Sequence, residues 1–280
     1  MLYNKKNEKF SDELFKNPTA EYRGTPFWAW NCKLDADLLK KEIEYLKEMG
    51  FGGFHMHPRV GLATEYLSDE FMHCVEECVE KARSENMLAW LYDEDKWPSG
   101  YAGGLNTKDI ENRAKKLLFT RIPFDDGSLS VKEDIEIASK YLHEPKYYFE
   151  ACYDVELDDE GYLVSFKRID ISQKAEHTKW FAYVLYEGDS TWYNGEAYVD
   201  TLSKKAMKEF IQITHDRYKE KIGKDFGTIV PAIFTDEPQF SGMGRMADPL
   251  TSVNACVAYT PELKDFYKEK YNECIFDVLP

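Results

Sequence analysis

The stretch Phe51–Tyr92, FGGFHMHPRVGLATEYLSDEFMHCVEECVEKARSENMLAWLY, decides how the chain is read. Its opening FGGFHMH has the length and apolar content of a buried strand, and its glycines permit close backbone packing. Ser68 then offers a helix N-cap, with Asp69 and Glu70 favouring the positive end of the helix dipole. Phe71, Cys74, Val75, Cys78, Val79 and Ala82 recur at helical spacing, and Met87–Tyr92 (MLAWLY) is strand-like again. Strand, helix and strand with short connections imply a parallel pair joined by a helical crossover.

The same rhythm extends toward the N-terminus. Thr25–Asn31 (TPFWAWN) reads as a strand. Asp35 caps a helix with Leu38, Leu39, Ile43, Leu46 and Met49 on its apolar stripe, and Gly50 is its stop. After Gly104 the pattern changes to β-branched and aromatic runs: KLLFTRIPF, YYFEACYDVEL, YLVSFKRIDI and KWFAYVLY. Asp158–Gly161 between two of them reads as a hairpin turn. The α/β rhythm then resumes with a strand-like AYVDTL, a helix over Ser203–Ile222, a strand over Thr228–Thr235, and a last helix and loop in Thr260–Pro280. The expected class is α/β, a (β/α)8 TIM-barrel type truncated after about five strands. Residues 17–115 would be its first part, 116–195 a small antiparallel β insertion, and 196–280 an incomplete continuation.

Composition narrows the function. The 280 residues carry a formal net charge of −15, which argues against nucleic acid because no basic stripe is available for phosphates. No apolar run approaches the roughly 20 residues of a membrane span, and MLYNKKNEKF lacks the apolar core of a signal peptide. Six scattered cysteines form neither a disulfide framework nor paired zinc ligands, so reduced thiols in a cytoplasmic protein are expected.

In parallel α/β folds the active site lies at the C-terminal ends of the strands. Trp28, Trp30 and Asn31 end the first strand here, and His55, His57 and Arg59 the second. Asp93, Glu94, Asp95, Lys96 and Trp97 follow the third, leading into a flexible Pro98–Ser99–Gly100. Asp200 ends AYVD, and Asp236, Glu237 and Pro238 end the last strand. Aromatic faces that cover sugar rings, with carboxylates that bind hydroxyls or flank a glycosidic bond, suit carbohydrate chemistry. Each group also has a plainer role: Asp236 and Glu237 as helix-capping acids, Asp93–Asp95 as a solvated loop, and Trp28 and Trp30 together as core. Trp192 and Tyr193 could likewise overhang a cleft or join a core. His55 and His57 share a strand face and could chelate a metal, as in metal-dependent hydrolases. Further ligands are wanting, because His73 and His215 fall on helices and His143 and His177 in the insertion.

PFWAWN, GFGGFHMHPRVGLATEYLS, AWLYDEDKWPSGYAGG and IFTDEP, in this order, resemble bacterial glycoside hydrolases related to family 106, the α-L-rhamnosidases. The resemblance covers most of residues 17–240. It implies a (β/α)8 catalytic barrel at the front of a longer chain with accessory β domains behind, and hydrolysis by a carboxylate pair with inversion. Glu237 then matches the strand-end general acid or base, with Asp93 or Asp95 as the partner available within the chain. Trp30, Asn31, His55, His57, Arg59, Trp97 and Asp236 become the substrate-binding set, and calcium a family-implied cofactor. A non-catalytic incomplete barrel with weak carbohydrate binding is the second expectation, and a His55/His57 metal hydrolase the third. Length bears on the first two: the residues after 236 are about half of what three more units need, at about 30 residues each.

Overall fold

The structure is a computed structural model that describes residues 11–123, 146–240, 250–252 and 254–280. His143 and the end of the KLLFTRIPF run lie outside these residues. The strands are β1 (Phe27–Trp30), β2 (Gly53–Pro58), β3 (Leu88–Tyr92), β4 (Lys115–Thr120), β5 (Tyr147–Leu157), β6 (Leu163–Ile169), β7 (Thr178–Tyr186), β8 (Ile233–Phe234) and β9 (Asn254–Tyr259). The helices are α1 (Asp12–Lys16), α2 (Ala36–Glu48), α3 (Asp69–Glu85), α4 (Lys204–Ile213), α5 (His215–Ile222) and α6 (Glu262–Tyr271). They make a mixed α/β protein of two compact units. One comprises residues up to Leu105 with Lys208–Pro238, the other Asn106–Met207 with Gln239–Pro280.

The first unit holds a four-stranded parallel sheet in the order β1-β2-β3-β8. Its helices start where their capping residues stand: Asp35 accepts from the Leu38 amide and Ser68 from the Phe71 amide. One sheet face carries Trp28, Trp30, Phe54, Met56, Ala89, Leu91 and Ile233 into a core with Leu39 and Ile43 of α2 and the Phe71–Ala82 stripe of α3. Leu38 and Met49, expected on the buried stripe of α2, are instead exposed. The opposite face carries Phe27, His55, His57, Trp90, Tyr92 and Phe234. The Phe27 and Phe234 rings lie 5.1 Å apart although β2 and β3 separate their strands. Three strand spacings on a flat sheet measure about 14 Å, so this face is strongly concave.

Glycine matters where backbone crosses backbone. A Cβ on Gly52 would lie 2.0 Å from the Ala20 carbonyl oxygen, and one on Gly53 would lie 2.3 Å from that of Leu88.

The second unit is a five-stranded antiparallel sheet in the order β6-β5-β7-β4-β9. The four aromatic runs supply four of its strands, and the 158–161 turn joins β5 to β6. The fifth, β9, comes from Asn254–Tyr259 and pairs with β4. Trp180, Tyr153, Leu117, Tyr259 and Phe276 pack on one face, and Leu118, Cys152, Phe181, Tyr183 and Leu185 on the other. Trp192 stands exposed in a short 3₁₀ turn of this unit.

Three expected elements differ from the structure. AYVDTL adds no strand to the parallel sheet: Val199 forms an isolated antiparallel bridge with Arg113. Asp200 is buried in the second unit, 3.6 Å from the Lys115 ammonium, so it is not a strand-end group of the parallel sheet. The parallel strands number four rather than five among the described residues. The helix expected over Ser203–Ile222 divides at Thr214, whose hydroxyl donates to the Phe210 carbonyl.

Among the described residues no helix is long and apolar enough to cross a membrane. All six cysteines are free thiols.

Candidate active site at the parallel strand ends

The loop after β3 is organised by a residue that looked like part of an acidic surface. Glu94 is fully buried, and its carboxylate accepts five backbone N–H groups. Asp95 (2.9 Å) and Gly103 donate to Oε1, and Gly100 (3.0 Å), Tyr101 (3.0 Å) and Ala102 (2.7 Å) to Oε2. Such wrapping needs left-handed backbone, which Gly100, Gly103 and Gly104 adopt freely and Ala102 adopts at φ 53°. PSGYAGG is thus a loop pinned around a buried carboxyl group rather than a flexible one. Burial pushes the Glu94 carboxyl up to about 8, while the five donors oppose that shift by favouring the carboxylate.

Asp93 is equally buried. Its Oδ1 accepts the Ser99 hydroxyl at 2.6 Å and its Oδ2 the Thr235 hydroxyl at 2.6 Å. Burial raises its pKa against those hydrogen bonds. His215, at the start of α5, brings Nε2 to 3.7 Å from Asp93 Oδ2. Ser99 in turn grips the β8 loop, because its amide donates to the Asp236 carbonyl (2.8 Å) and its hydroxyl accepts from the Asp236 amide (2.9 Å). Tyr92 donates its hydroxyl to Asp236 Oδ2 at 3.4 Å.

Glu237 follows with φ 41°, in the left-handed region that a non-glycine residue seldom occupies. Its exposed side chain accepts the Trp97 indole N–H on Oε2 at 3.0 Å. Asp93, Asp236, Glu237 and Trp97 are therefore joined through one hydrogen-bonded edge. Asp95 lies beside it, nearly buried, with its amide on Glu94.

The remaining candidates stand elsewhere in the same unit. Trp30 is buried in the helix-side core, edge-on to Phe71 at 5.5 Å between ring centroids. Asn31 is exposed, and its carbonyl faces Gly61. His57 is stacked between Tyr92 (3.9 Å) and Phe27 (4.6 Å), and His55 on Trp90 (5.1 Å). Arg59 is exposed, with its guanidinium 3.3 Å from His57 Nε2. Burial, helped by the Arg59 charge, pushes the His57 imidazole down to about 4, so the ring is neutral near neutral pH. Accepting from Arg59 on Nε2 places the His57 proton on Nδ1.

Two consequences concern metals. The histidine pair is surrounded by rings, and among the described residues no group of three or more His, Cys, Asp or Glu side chains is placed to hold a metal ion. Calcium takes about 6–8 oxygen ligands, and among the described residues no three carboxylates gather to begin such a set.

Ser99, Thr235 and His215 have site roles that the sequence did not suggest, and Glu94 stood there only as one of the strand-end acids. The glycine cluster after Trp97 was the available signal for Glu94. Nothing local marks His215, which meets Asp93 only through the fold.

Fold and strand-end chemistry together define a mixed α/β protein whose parallel sheet ends in a carboxylate- and tryptophan-bearing edge. No protein-family model matches the chain. No curated protein matches it either. Among solved structures, a rhamnosidase from Novosphingobium sp. PP1Y is a distant neighbour at 14% sequence identity and a TM-score of 0.34. The match covers 55% of this chain and 16% of the rhamnosidase.

Proposed function

We propose that the chain carries part of a glycoside hydrolase, with the parallel sheet as the first four strands of a (β/α)8 barrel. One observation carries this reading: Glu237, Trp97, Asp236 and Asp93 meet at the C-terminal edge of a concave parallel sheet. That is where barrel enzymes do chemistry, and a carboxylate hydrogen-bonded to an indole suits a site that receives a sugar face. The concavity favours a barrel over an open sheet, and the aromatic rings on that face would be its interior layer.

In this proposal Glu237 supplies one carboxyl group of the hydrolytic pair. It is the exposed carboxylate of the edge, and Trp97 fixes its orientation. Asp95 is the second carboxyl offered by the β3 loop. An inverting pair stands about 6.5–9.5 Å apart, one group protonating the leaving oxygen while the other activates water from the opposite face. Asp236, Trp97 and Arg59 would hold substrate hydroxyls and the sugar face. The α-L-rhamnoside preference rests on the sequence resemblance, as does the expectation of further barrel strands in a longer protein.

Binding can be read without turnover. Titration of the chain with monosaccharides, L-rhamnose among them, should perturb the Trp97 indole signal in ¹H–¹⁵N spectra and leave Trp180 of the other unit unmoved. A panel of sugars that leaves Trp97 unmoved would remove the carbohydrate reading.

A further inference from the structure

We infer that Ser99, oriented by Asp93, is the positioning residue that holds Glu237 in its left-handed conformation with its carboxylate on Trp97. The geometry runs in one direction. Asp93 is fully buried and has both oxygens occupied by hydroxyl donors, Ser99 at 2.6 Å and Thr235 at 2.6 Å. With its proton committed to Asp93, the Ser99 oxygen offers its lone pairs to the Asp236 amide, at 2.9 Å. The Ser99 amide holds the Asp236 carbonyl at 2.8 Å. Asp236 is thus gripped on both of its peptide groups, immediately before the residue at φ 41°. A side chain in that region of backbone space persists only where its surroundings over-determine it. Ser99 also lies two residues from Trp97, so one loop supplies both the grip on the Asp236 backbone and the indole that receives Glu237.

Asp93 therefore acts through another group rather than on a substrate. Its burial and filled hydrogen bonds leave it no face to present. The inference concerns the place of Glu237 rather than the reaction, and its test uses no sugar. Failure of the glycosidase reading leaves it standing, and the converse holds too.

The test is the Trp97 indole N–H resonance of the whole chain, assigned among the six tryptophans by Trp97→Phe and referenced to Glu237→Gln. Ser99→Ala should move it away from the wild-type position toward that of Glu237→Gln, with about tenfold faster hydrogen exchange. The other indole signals should stay in place. Asp93→Asn should keep the wild-type signal, because its amide oxygen can still accept from Ser99 while its NH₂ turns to the Thr235 oxygen. An unmoved Trp97 signal in Ser99→Ala, or a loss in Asp93→Asn equal to that in Ser99→Ala, would overturn the inference. Should Ser99→Ala fail to fold, Ser99→Cys, which keeps a weaker donor and a weaker acceptor at the same atom, must give an intermediate shift. An unshifted signal in that variant overturns the inference as well.

Discussion

Replacing Glu94 by Gln changes one oxygen to an NH₂ group at a place where every neighbour is a donor. The remaining oxygen can serve the three amides of Gly100, Tyr101 and Ala102, but the new NH₂ then faces the amides of Asp95 and Gly103. Two buried N–H groups then lose their acceptor, at about 1–3 kcal/mol each. The cost is about 2–6 kcal/mol for the two, a large share of the roughly 5–15 kcal/mol that holds a domain folded. Because the chain comprises two compact units, the direct assay is native-state hydrogen exchange at individual amides. Asp95 and Gly103 should lose most of their protection, and the helix amides of α3 should lose less. Wild-type protection at both amides, with stability changed by under about 1 kcal/mol, would refute the view that the loop is built around this carboxylate.

Three further outcomes follow from the same geometry. His57 is neutral in the folded chain and titrates near 4 rather than its ordinary 6.5, so the unfolded chain binds more protons between those values. Its share of stability is therefore complete above pH 6.5 and falls by up to about 3 kcal/mol as pH drops through 4. His57→Phe, which keeps the ring stack, should flatten that part of the urea-denaturation profile, and an unchanged profile would contradict the assignment. Gly52→Ala places a methyl group 2.0 Å from the Ala20 carbonyl oxygen, and should lower stability by about 1–3 kcal/mol in thermal unfolding. Asp200→Ala leaves the buried Lys115 ammonium without its carboxylate at 3.6 Å, and should cost about 3–5 kcal/mol in the unfolding of the antiparallel unit.

Local patterns made most of the parallel unit legible. Asp35 and Ser68 cap the helices that their sequence context indicated, and the strands of FWAW, GFHMHP and LAWLY stand where short apolar runs placed them. AYVD misled because three successive apolar or β-prone residues occur equally in a buried loop, and only a partner strand decides between the two. The NACVAY run of β9 went unread for the converse reason, since its pairing with β4 spans a long sequence separation. At the strand ends, residue type pointed to Asp93, Asp236, Glu237 and Trp97, which the fold joins by hydrogen bonds. Residue type could not separate Glu94, which holds a loop, from its two acidic neighbours. That distinction lies in the five amides that turn toward it. Trp30 shows the limit of counting aromatics at strand ends, for alternation sends it into the helix-side core.

The central claim is that Glu237 supplies a reacting carboxyl group for glycosidic hydrolysis, and aryl-glycoside turnover tests it most directly. Release of nitrophenol from a panel that includes the α-L-rhamnoside should be measured for the wild-type chain and for Glu237→Gln at equal folded concentration. The account predicts that hydrolysis of any responsive member falls by roughly 10²–10⁴-fold in Glu237→Gln, the usual worth of a general acid or base. Hydrolysis that survives undiminished in Glu237→Gln would contradict it.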